Sequence, residues 1–261
     1  MRGLVPISFA VWMASIPLSG CTYESDDANA LDTEETSAAI VGGSELDTRE
    51  VEARGLVGLV AVLDGERRGF CSGTLVADRW VLTAAHCART PRGPIAHVVF
   101  ASDIFASSRE TMPVAEIRRH ATADIALVRL GASAPARYTR VAVVPKRSRN
   151  RTGSRLEIAG FGRRNEAGAT SGGRADAMNA VASLADPGSP LVSVFTQRGG
   201  ACFGDSGGPA TVGKGSARAV IGVLSSGNPT CRGGDNYTNV AFFEAFLRQA
   251  APEIRFADPP L

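Results

Sequence analysis

Hydrophobic residues after Gly55 fall into short runs that glycine and polar residues interrupt. These apolar runs cover residues 55–63, 79–85, 97–102, 124–130, 156–162, 191–197 and 219–227. Short runs at regular spacing, with no helical pattern between them, are typical of an all-β sandwich or barrel. The pattern therefore predicts antiparallel β-structure for the body of the chain.

Two further stretches indicate a domain boundary and a helix. The basic, polar segment 145–153 divides the strands into two groups, so we expect a domain boundary there, with one domain at 40–145 and the other at 146–261. Apolar residues in 239–251 recur at helical spacing. This spacing predicts a single helix near the end of the chain.

The first 20 residues have the pattern of an export signal peptide rather than of a membrane-spanning helix. Arg2 is followed by an apolar run, which Pro6 and Pro17 interrupt and small residues end. The letters "LSGC" at 18–21 resemble the lipobox of bacterial lipoproteins, in which the cysteine, here Cys21, becomes the lipid-carrying first residue. An ordinary secretory signal followed by an unrelated cysteine is the alternative.

The next segment, 21–39, is acidic. It carries six acidic residues and no lysine or arginine, a composition that predicts a disordered tether or propeptide. From residue 40 onward the chain has 27 basic and 20 acidic residues, a net charge of about +7. The basic residues are too scattered to indicate a nucleic-acid-binding surface.

Cysteine usage supports export and sets Cys21 apart. The chain has five cysteines, and the other four lie in its later part: Cys71, Cys87, Cys202 and Cys231. An odd cysteine in an exported protein is expected to have a role of its own, which fits lipidation of Cys21. We therefore expect a membrane-tethered lipoprotein before activation, or a secreted or periplasmic protein.

The segment "GDSGG" at 204–208 presents Ser206 between glycines. Taken alone it matches the G-x-S-x-G nucleophile turn of the α/β-hydrolases, which place their catalytic histidine after the serine in the chain. The histidines of this sequence, His86, His97 and His120, all precede Ser206. This order excludes an esterase or lipase of that fold.

The order histidine, aspartate, serine is instead that of the chymotrypsin triad. "LTAAHC" contains His86, "DIAL" contains Asp124 and "GDSGGP" contains Ser206, and the flanking motifs occur in the matching order: "IVGG" at 40–43, "GFG" at 160–162, "SSG" at 225–227 and "NYTNV" at 236–240. On these motifs the chain resembles the chymotrypsin-like (trypsin-like) serine proteases from Ile40 to the terminal helix. The resemblance implies two six-stranded antiparallel β-barrels with a C-terminal helix.

The resemblance also implies a role for each residue of the triad. His86 is the expected general base toward Ser206, and Asp124 would orient His86 and stabilise its charged form. The backbone N–H groups of Gly204 and Ser206 would form the oxyanion hole. His97 and His120 are expected to be surface or hydrogen-bonded residues without a catalytic role.

Two disulfides are implied by the same resemblance. Cys71 would pair with Cys87 around the His86 loop, and Cys202 with Cys231 around the segment after Ser206. Two further bridges that are frequent in animal relatives have no cysteines here, which favours a bacterial member of the family. No metal or other cofactor is expected.

Activation in this family follows a cut before a residue like Ile40. The new ammonium group would pair with Asp205, and this pair would shape the oxyanion hole. The residue before the cut is Ala39 rather than the more usual Arg or Lys, so an unidentified protease other than a tryptic enzyme is expected to activate the chain. If Cys21 carries lipid, the same cut would release the domain from the membrane.

Primary specificity is expected in a pocket lined by the following residues: Gly200, Ala201, Ser225, Ser226, Gly227 and Asp235. In trypsin-like relatives the pocket floor is an aspartate, and here that position is Gly200. Aligning "DNYTNV" with the family motif moves the acid to Asp235, which small walls would leave accessible to a cation. We therefore expect cleavage after Arg or Lys or broad specificity, with elastase-like or chymotrypsin-like preference, or Asp235 in a surface turn, as alternatives.

Two function classes follow from the sequence. The favoured one is an exported serine endopeptidase acting on protein or peptide substrates. The other is a catalytically silent protease homologue that acts as a binding module. The intact set of His86, Asp124 and Ser206 favours the enzyme.

Overall fold

The computed structural model describes residues 40–63, 66–88, 94–148, 152–164, 172–186 and 188–259. The signal peptide, Cys21, the acidic segment and Ala39 lie outside the described residues. The described chain opens with a two-residue strand, β1 (Ser44–Glu45), and a short helix, α1 (Thr48–Arg54).

Helix α1 is an element that the hydrophobic pattern did not predict, because its stability comes from its ends. Asp47 accepts a hydrogen bond from the Glu50 backbone N–H at 2.8 Å, and the Glu50 carboxylate accepts one from the Asp47 N–H at 3.0 Å. This reciprocal capping box satisfies two otherwise free donors. Gly55 ends the helix in the left-handed conformation, with φ at 56°.

Six antiparallel strands then close into the first barrel, in the order β2-β3-β4-β7-β6-β5, with β5 pairing back onto β2. The strands are β2 (Leu56–Leu63), β3 (Glu66–Ala77), β4 (Trp80–Thr83), β5 (Ile95–Phe100), β6 (Glu110–Arg119) and β7 (Ala126–Leu130). A one-turn helix, α2 (Ala85–Ala88), follows β4.

The second barrel is also closed and antiparallel, because β9 pairs with both β10 and β12. Its strands are β9 (Arg155–Gly160), β10 (Asp176–Ala185), β11 (Leu191–Phe195), β12 (Pro209–Val212), β13 (Ala219–Ser226) and β14 (Gly234–Asn239). Two short strands extend this sheet: β1 pairs with β10, and β8 (Ala142–Val143) pairs in parallel with β13. The predicted fold class of two six-stranded barrels is therefore confirmed, while the division at 145 and 146 stays a prediction.

The predicted terminal helix is present but starts later than its hydrophobic pattern. It spans α3 (Glu244–Ala250), because β14 continues to Asn239 and a turn separates the two elements. The Asn239 side chain holds this turn: its amide donates to the carbonyls of Asp186 and Ser189, each at 2.8 Å, and its oxygen accepts from the Ala241 N–H. Among the described residues, no helix is both long and apolar enough to cross a bilayer.

Candidate active site

Strand register brings His86 and Asp124 to the same edge of the first barrel. In the β4–β7 ladder Thr83 lies opposite Ala126. His86 comes three residues after Thr83, and Asp124 two residues before Ala126. Antiparallel pairing therefore turns two segments that are distant in sequence into neighbours.

His86 and Asp124 are joined by two hydrogen bonds. His86 Nδ1 lies 2.7 Å from Asp124 Oδ2, and the His86 backbone N–H donates to Asp124 Oδ1 at 2.8 Å. A carboxylate accepts hydrogen bonds, so this contact places the ring proton on Nδ1 and leaves a lone pair on Nε2. The imidazole is thereby held in the form that can accept a proton from a nucleophile.

Asp124 has further partners in the second barrel. Ser225 Oγ donates to Asp124 Oδ2 at 2.6 Å, and Thr238 Oγ1 donates to the Asp124 main-chain carbonyl at 2.9 Å. Partial burial alone would raise the pKa of Asp124, but the hydrogen bonds from His86 and Ser225 outweigh it and lower the pKa. Asp124 is therefore ionised at neutral pH.

Ser206 reaches the same region from the second barrel. Pro209 of β12 lies opposite Val223 of β13, so Ser206 and Ser225 meet at one edge of that pair. Gly207 N–H donates to the Leu224 carbonyl at 2.9 Å, which fixes the loop against β13. Within the described part of the chain, no hydrogen bond joins Ser206 Oγ to His86, whose Nε2 lies 3.7 Å from Cys87 Sγ.

Ser72 holds the loop from the first barrel, a contact that sequence analysis did not assign. Its N–H donates to the Ser206 carbonyl at 2.8 Å and its hydroxyl donates to the Gly204 carbonyl at 3.0 Å, while it accepts from the Phe161 N–H at 2.9 Å. Ser72 is fully buried. No local sequence pattern around residue 72 indicates this contact.

Glycines at 204 and 207 are required by conformation and by space. Gly204 has φ at 104°, and a Cβ there would lie 2.3 Å from the Phe70 ring. Gly207 has φ at 79°, and a Cβ there would lie 2.1 Å from Thr83 Oγ1. Among the described residues, the N–H groups of Gly204 and Ser206 have no hydrogen-bond acceptor.

Asp205 is a buried carboxyl group, with 1% of its surface exposed. It accepts the Gly162 N–H at 2.7 Å and the Cys202 N–H at 2.8 Å. Burial raises the pKa of Asp205 to about 8, against the two hydrogen bonds, and the nearby Asp176 and Asp235 act in the same direction as burial. No cationic side chain contacts it within the described ranges.

The segment after the expected cut pairs with the chain that precedes Ser206. Ile40 is buried, with 1% of its surface exposed. Val41 and Gly200 exchange backbone hydrogen bonds of 3.1 and 3.2 Å. The amino end of the described chain is therefore attached to the segment that precedes Ser206.

Three of the predicted pocket residues, Gly200, Ala201 and Gly227, lie around Asp235. Asp235 Oδ2 accepts the Ala201 N–H at 3.0 Å, and a Cβ at Gly227 would lie 2.5 Å from Asp235 Oδ1. Oδ1 is buried and has no hydrogen-bond partner in the described structure. Gly200 borders the same carboxylate, since a Cβ there would lie 3.2 Å from Oδ2.

The expected accessibility of Asp235 needs correction. The residue is only 1% exposed, and burial raises its pKa against the backbone hydrogen bond from Ala201. The reason is register: β13 and β14 pair Ser226 with Asn236, so Asp235 lies inside the barrel wall beside Gly227 rather than in a surface turn. The interpretation of Asp235 as a surface turn residue is therefore wrong.

Both implied disulfides are present, Cys71–Cys87 and Cys202–Cys231. Such bonds persist in oxidising compartments, which indicates an exported protein. The sulfurs of Cys71 and Cys87 and a ring nitrogen of His86 lie within 4.8 Å of one another. Because the two sulfurs are bonded to each other, they are not thiolates and are poor candidates for a metal site.

A cavity of about 630 Å³ opens beside the site. Its polar edge is formed by Asp124, Ser225 and Thr238, and its apolar walls include Leu191, Phe242 and Phe246. The Asp124 side chain is 26% exposed. His120 also lines this cavity, whereas His97 lies in β5 opposite Pro113 of β6.

Comparisons with known proteins point in one direction. The sequence model of the family described as Trypsin matches residues 40–247. Human azurocidin is 29% identical over 228 residues, covering 80% of this chain and 85% of that protein, and serine protease SP24D of Anopheles gambiae is 31% identical over 231 residues, covering 81% and 80%. The solved structure of human heparin binding protein matches with a TM-score of 0.68 and 26% identity, covering 85% of this chain and 100% of that one.

Proposed function

Because the chain belongs to the trypsin family of serine proteases, we propose that it is an exported serine endopeptidase whose nucleophile is Ser206. The observation that carries this proposal is the His86–Asp124 contact of 2.7 Å beside the glycine-rich loop that presents Ser206. Asp124 is itself fixed by the 2.6 Å bond from Ser225. A base oriented by a carboxylate, next to a serine, is the arrangement that acyl transfer needs.

The reaction follows from the hydrogen bonds. With the ring proton on Nδ1, His86 Nε2 takes the Ser206 proton as Oγ attacks the substrate carbonyl carbon. The leaving amine receives that proton from His86, and a water molecule then hydrolyses the acyl-enzyme by the same steps in reverse. The hydrogen bond between Ser206 and His86 forms in the substrate complex, as catalytic hydrogen bonds often tighten only there.

The negative oxygen formed in this attack would be bound by the N–H groups of Gly204 and Ser206. This proposal is supported by the observation that neither N–H group donates to an acceptor in the described structure. Each donor of this kind stabilises the transition state by about 2.7 to 4 kcal/mol.

Activation would follow a cut between Ala39 and Ile40. The new ammonium group would pair with Asp205, whose buried carboxyl has a pKa raised to about 8 and would be stabilised as a carboxylate by the new charge. The burial of Ile40 and the Val41–Gly200 bonds support this geometry. Because Ala39 is small, the activating protease would be one that cuts after small residues.

A lipid on Cys21 would make activation and release one event. The four other cysteines are paired with each other, so no disulfide would hold the acidic segment to the domain after the cut. N-terminal sequencing of active material tests this: a start at Ile40 is expected, and an active form that begins at Cys21 contradicts it. The bacterial origin stays a prediction, since the relatives described above are animal proteins.

Specificity would be for Arg or Lys before the cleaved bond. The support is Asp235 Oδ1, a buried carboxylate oxygen without a hydrogen-bond partner in the described structure, beside Gly227 and Gly200. A cationic side chain entering between the glycines would satisfy it. Preference for small aliphatic residues is the alternative, and it would hold if Asp235 stays protonated behind its backbone hydrogen bond.

A catalytically silent binding protein is the second candidate function. It is favoured by one similar solved structure, that of human heparin binding protein, and by the net positive charge of the domain. In that case the ligand would be a sulfated polysaccharide.

A serine-directed phosphonate separates the two candidates. Chain cut before Ile40 should be labelled on Ser206, and the Ser206→Ala variant, which is matched in every other residue, should not. Absence of labelling in correctly cut wild-type protein would instead favour the binding protein.

A further inference from the structure

Asp124 lies in a six-residue turn. Strand β6 ends at Arg119 and β7 begins at Ala126, so six residues join them. His120 N–H donates to the Ile125 carbonyl at 3.0 Å, and Ile125 N–H donates to the Ala123 carbonyl at 2.9 Å. The direction of the Asp124 side chain therefore depends on the shape of this turn.

The His120 side chain fills the inside of the turn. Its Nδ1 lies 3.0 Å from the Ala123 backbone nitrogen and 3.3 Å from that of Thr122, and both N–H groups donate to it. A ring nitrogen accepts hydrogen bonds only when it carries no proton, so the ring proton is on Nε2. One side chain thus satisfies two of the three N–H groups between His120 and Asp124 in sequence.

The surroundings of the turn make the two hydrogen bonds to His120 Nδ1 more important. Thr122 and Ala123 line the cavity of about 630 Å³, so the turn lacks close packing on that side. The His120 ring, which lines the same cavity, meets two aromatic rings edge-on, with centroids 4.9 Å from Phe243 and 5.2 Å from Phe246. The ring is therefore fixed against the terminal helix while its Nδ1 holds the turn.

We propose that His120 is a positioning residue for Asp124. It acts by holding the Ala123 and Thr122 N–H groups, which sets the backbone from which Asp124 reaches His86 Nδ1 and the His86 N–H. It touches neither substrate nor the reacting atoms. The effect on the rate rests on the proposed function, but the effect on the His86–Asp124 bond does not.

Two variants separate the two features of His120. His120→Phe keeps an aromatic ring against Phe243 and Phe246 and removes the acceptor, whereas His120→Asn keeps an acceptor near the Nδ1 position and removes the ring. In cut protein, we expect His120→Phe to lower kcat about tenfold with KM changed less than about twofold, because a small misplacement of a catalytic group costs rate rather than binding. His120→Asn should keep kcat within about threefold, and His97→Phe, a control outside the turn, should leave it unchanged.

A second readout does not need activity. The low-field proton NMR signal of His86 Nδ1–H, which reports its bond to Asp124, should be present in the wild type and in His120→Asn and broadened or lost in His120→Phe. Loss in both variants, or retention in His120→Phe with unchanged kcat, would overturn the proposal. If wild-type protein hydrolyses nothing, the proposed function fails while this NMR comparison still decides the role of His120.

Discussion

The three aspartates of the candidate site are enclosed in two different ways. Asp124 lies on the proposed catalytic side, and Asp205 and Asp235 lie on the proposed activation and pocket side. Asp124 receives hydrogen bonds from His86 and Ser225 side chains, and its pKa is lowered. Asp205 and Asp235 are each 1% exposed, accept only backbone N–H groups among the described residues, and have raised pKa values. The catalytic carboxylate thus has its partners within the fold, whereas the other two are carboxyl groups that a cation would stabilise.

The difference assigns separate tasks to the two sides. A carboxylate already satisfied by neighbouring side chains can orient a base without further change. A positive charge placed beside a buried carboxyl group with a raised pKa stabilises its ionised form. In our account the ammonium group of Ile40 brings that charge to Asp205, and a substrate Arg or Lys brings it to Asp235.

The largest expected effect comes from breaking the catalytic side. Asp124→Asn should lower kcat by about 10⁴-fold, because an amide no longer holds the proton of His86 on Nδ1. Steady-state kinetics on cut protein measures this. Asp78→Asn, at an exposed aspartate paired with Arg140, is the matched control and should leave kcat unchanged. A loss of less than tenfold in Asp124→Asn would contradict the role given to this residue.

Asp205 should make the uncut chain lose stability as the pH rises. Its folded pKa of about 8 exceeds the ordinary 3.8, so its contribution to stability is fully present below about pH 4 and disappears by about pH 8. The difference in free energy of unfolding from Asp205→Asn should therefore change by roughly 4 to 6 kcal/mol over this range.

Urea unfolding of both proteins at several pH values measures this difference. Cutting before Ile40 should abolish the pH dependence, because the ammonium group then pairs with the carboxylate. If cut and uncut chains show the same dependence, Asp205 does not receive that charge.

Asp235→Asn tests the pocket side directly. The amide still accepts the Ala201 N–H but carries no charge, so kcat/KM for a peptide with Arg before the cleaved bond should fall about 10²-fold. The value for a matched peptide with Ala at that position should stay within about threefold. Equal losses for both peptides would indicate a structural effect on the loop instead of charge recognition.

The smallest expected effect on kcat comes from removing the hydrogen bond between Ser225 and Asp124, which joins the two barrels. Ser225→Ala removes the 2.6 Å bond to Asp124 but leaves both bonds from His86. A single hydrogen bond to a charged group contributes about 1.5 to 3 kcal/mol, part of which water can replace here, so kcat should fall about fivefold. Ser216→Ala, at an exposed serine between β12 and β13, serves as the comparison, and a similar loss of kcat there would contradict the role given to the Ser225–Asp124 bond.

The sequence predicted most of the fold, and the structure brings His86 and Asp124 into contact, while the catalytic roles of His86, Asp124 and Ser206 stay a prediction. The short apolar runs predicted antiparallel β-structure, and the family motifs implied the two barrels; strands such as β4 and β12 are buried along their whole length rather than alternating. It did not predict α1, whose signal is a capping box rather than a hydrophobic period. The terminal helix was placed too early, because Asn239 anchors a turn through carbonyls of Asp186 and Ser189 that are distant in sequence.

Contacts across the molecule explain the remaining differences. Ser72 joins Gly204, Ser206 and Phe161, and no local pattern around residue 72 contains that information. The burial of Asp235 depends on the β13–β14 register, which a motif alignment does not give. His120 was expected to have no catalytic role, and only the folded turn shows that its ring accepts hydrogen bonds from Thr122 and Ala123.

One measurement tests the account most directly: hydrolysis of two peptides that differ only in Arg or Ala before the cleaved bond, by chain before and after the cut at Ile40. We predict negligible hydrolysis by the uncut chain, rapid hydrolysis of the Arg peptide by the cut chain at least about tenfold faster than of the Ala peptide, and none by cut Ser206→Ala. Failure of correctly cut wild-type protein to hydrolyse either peptide, or equal rates before and after the cut, would contradict it.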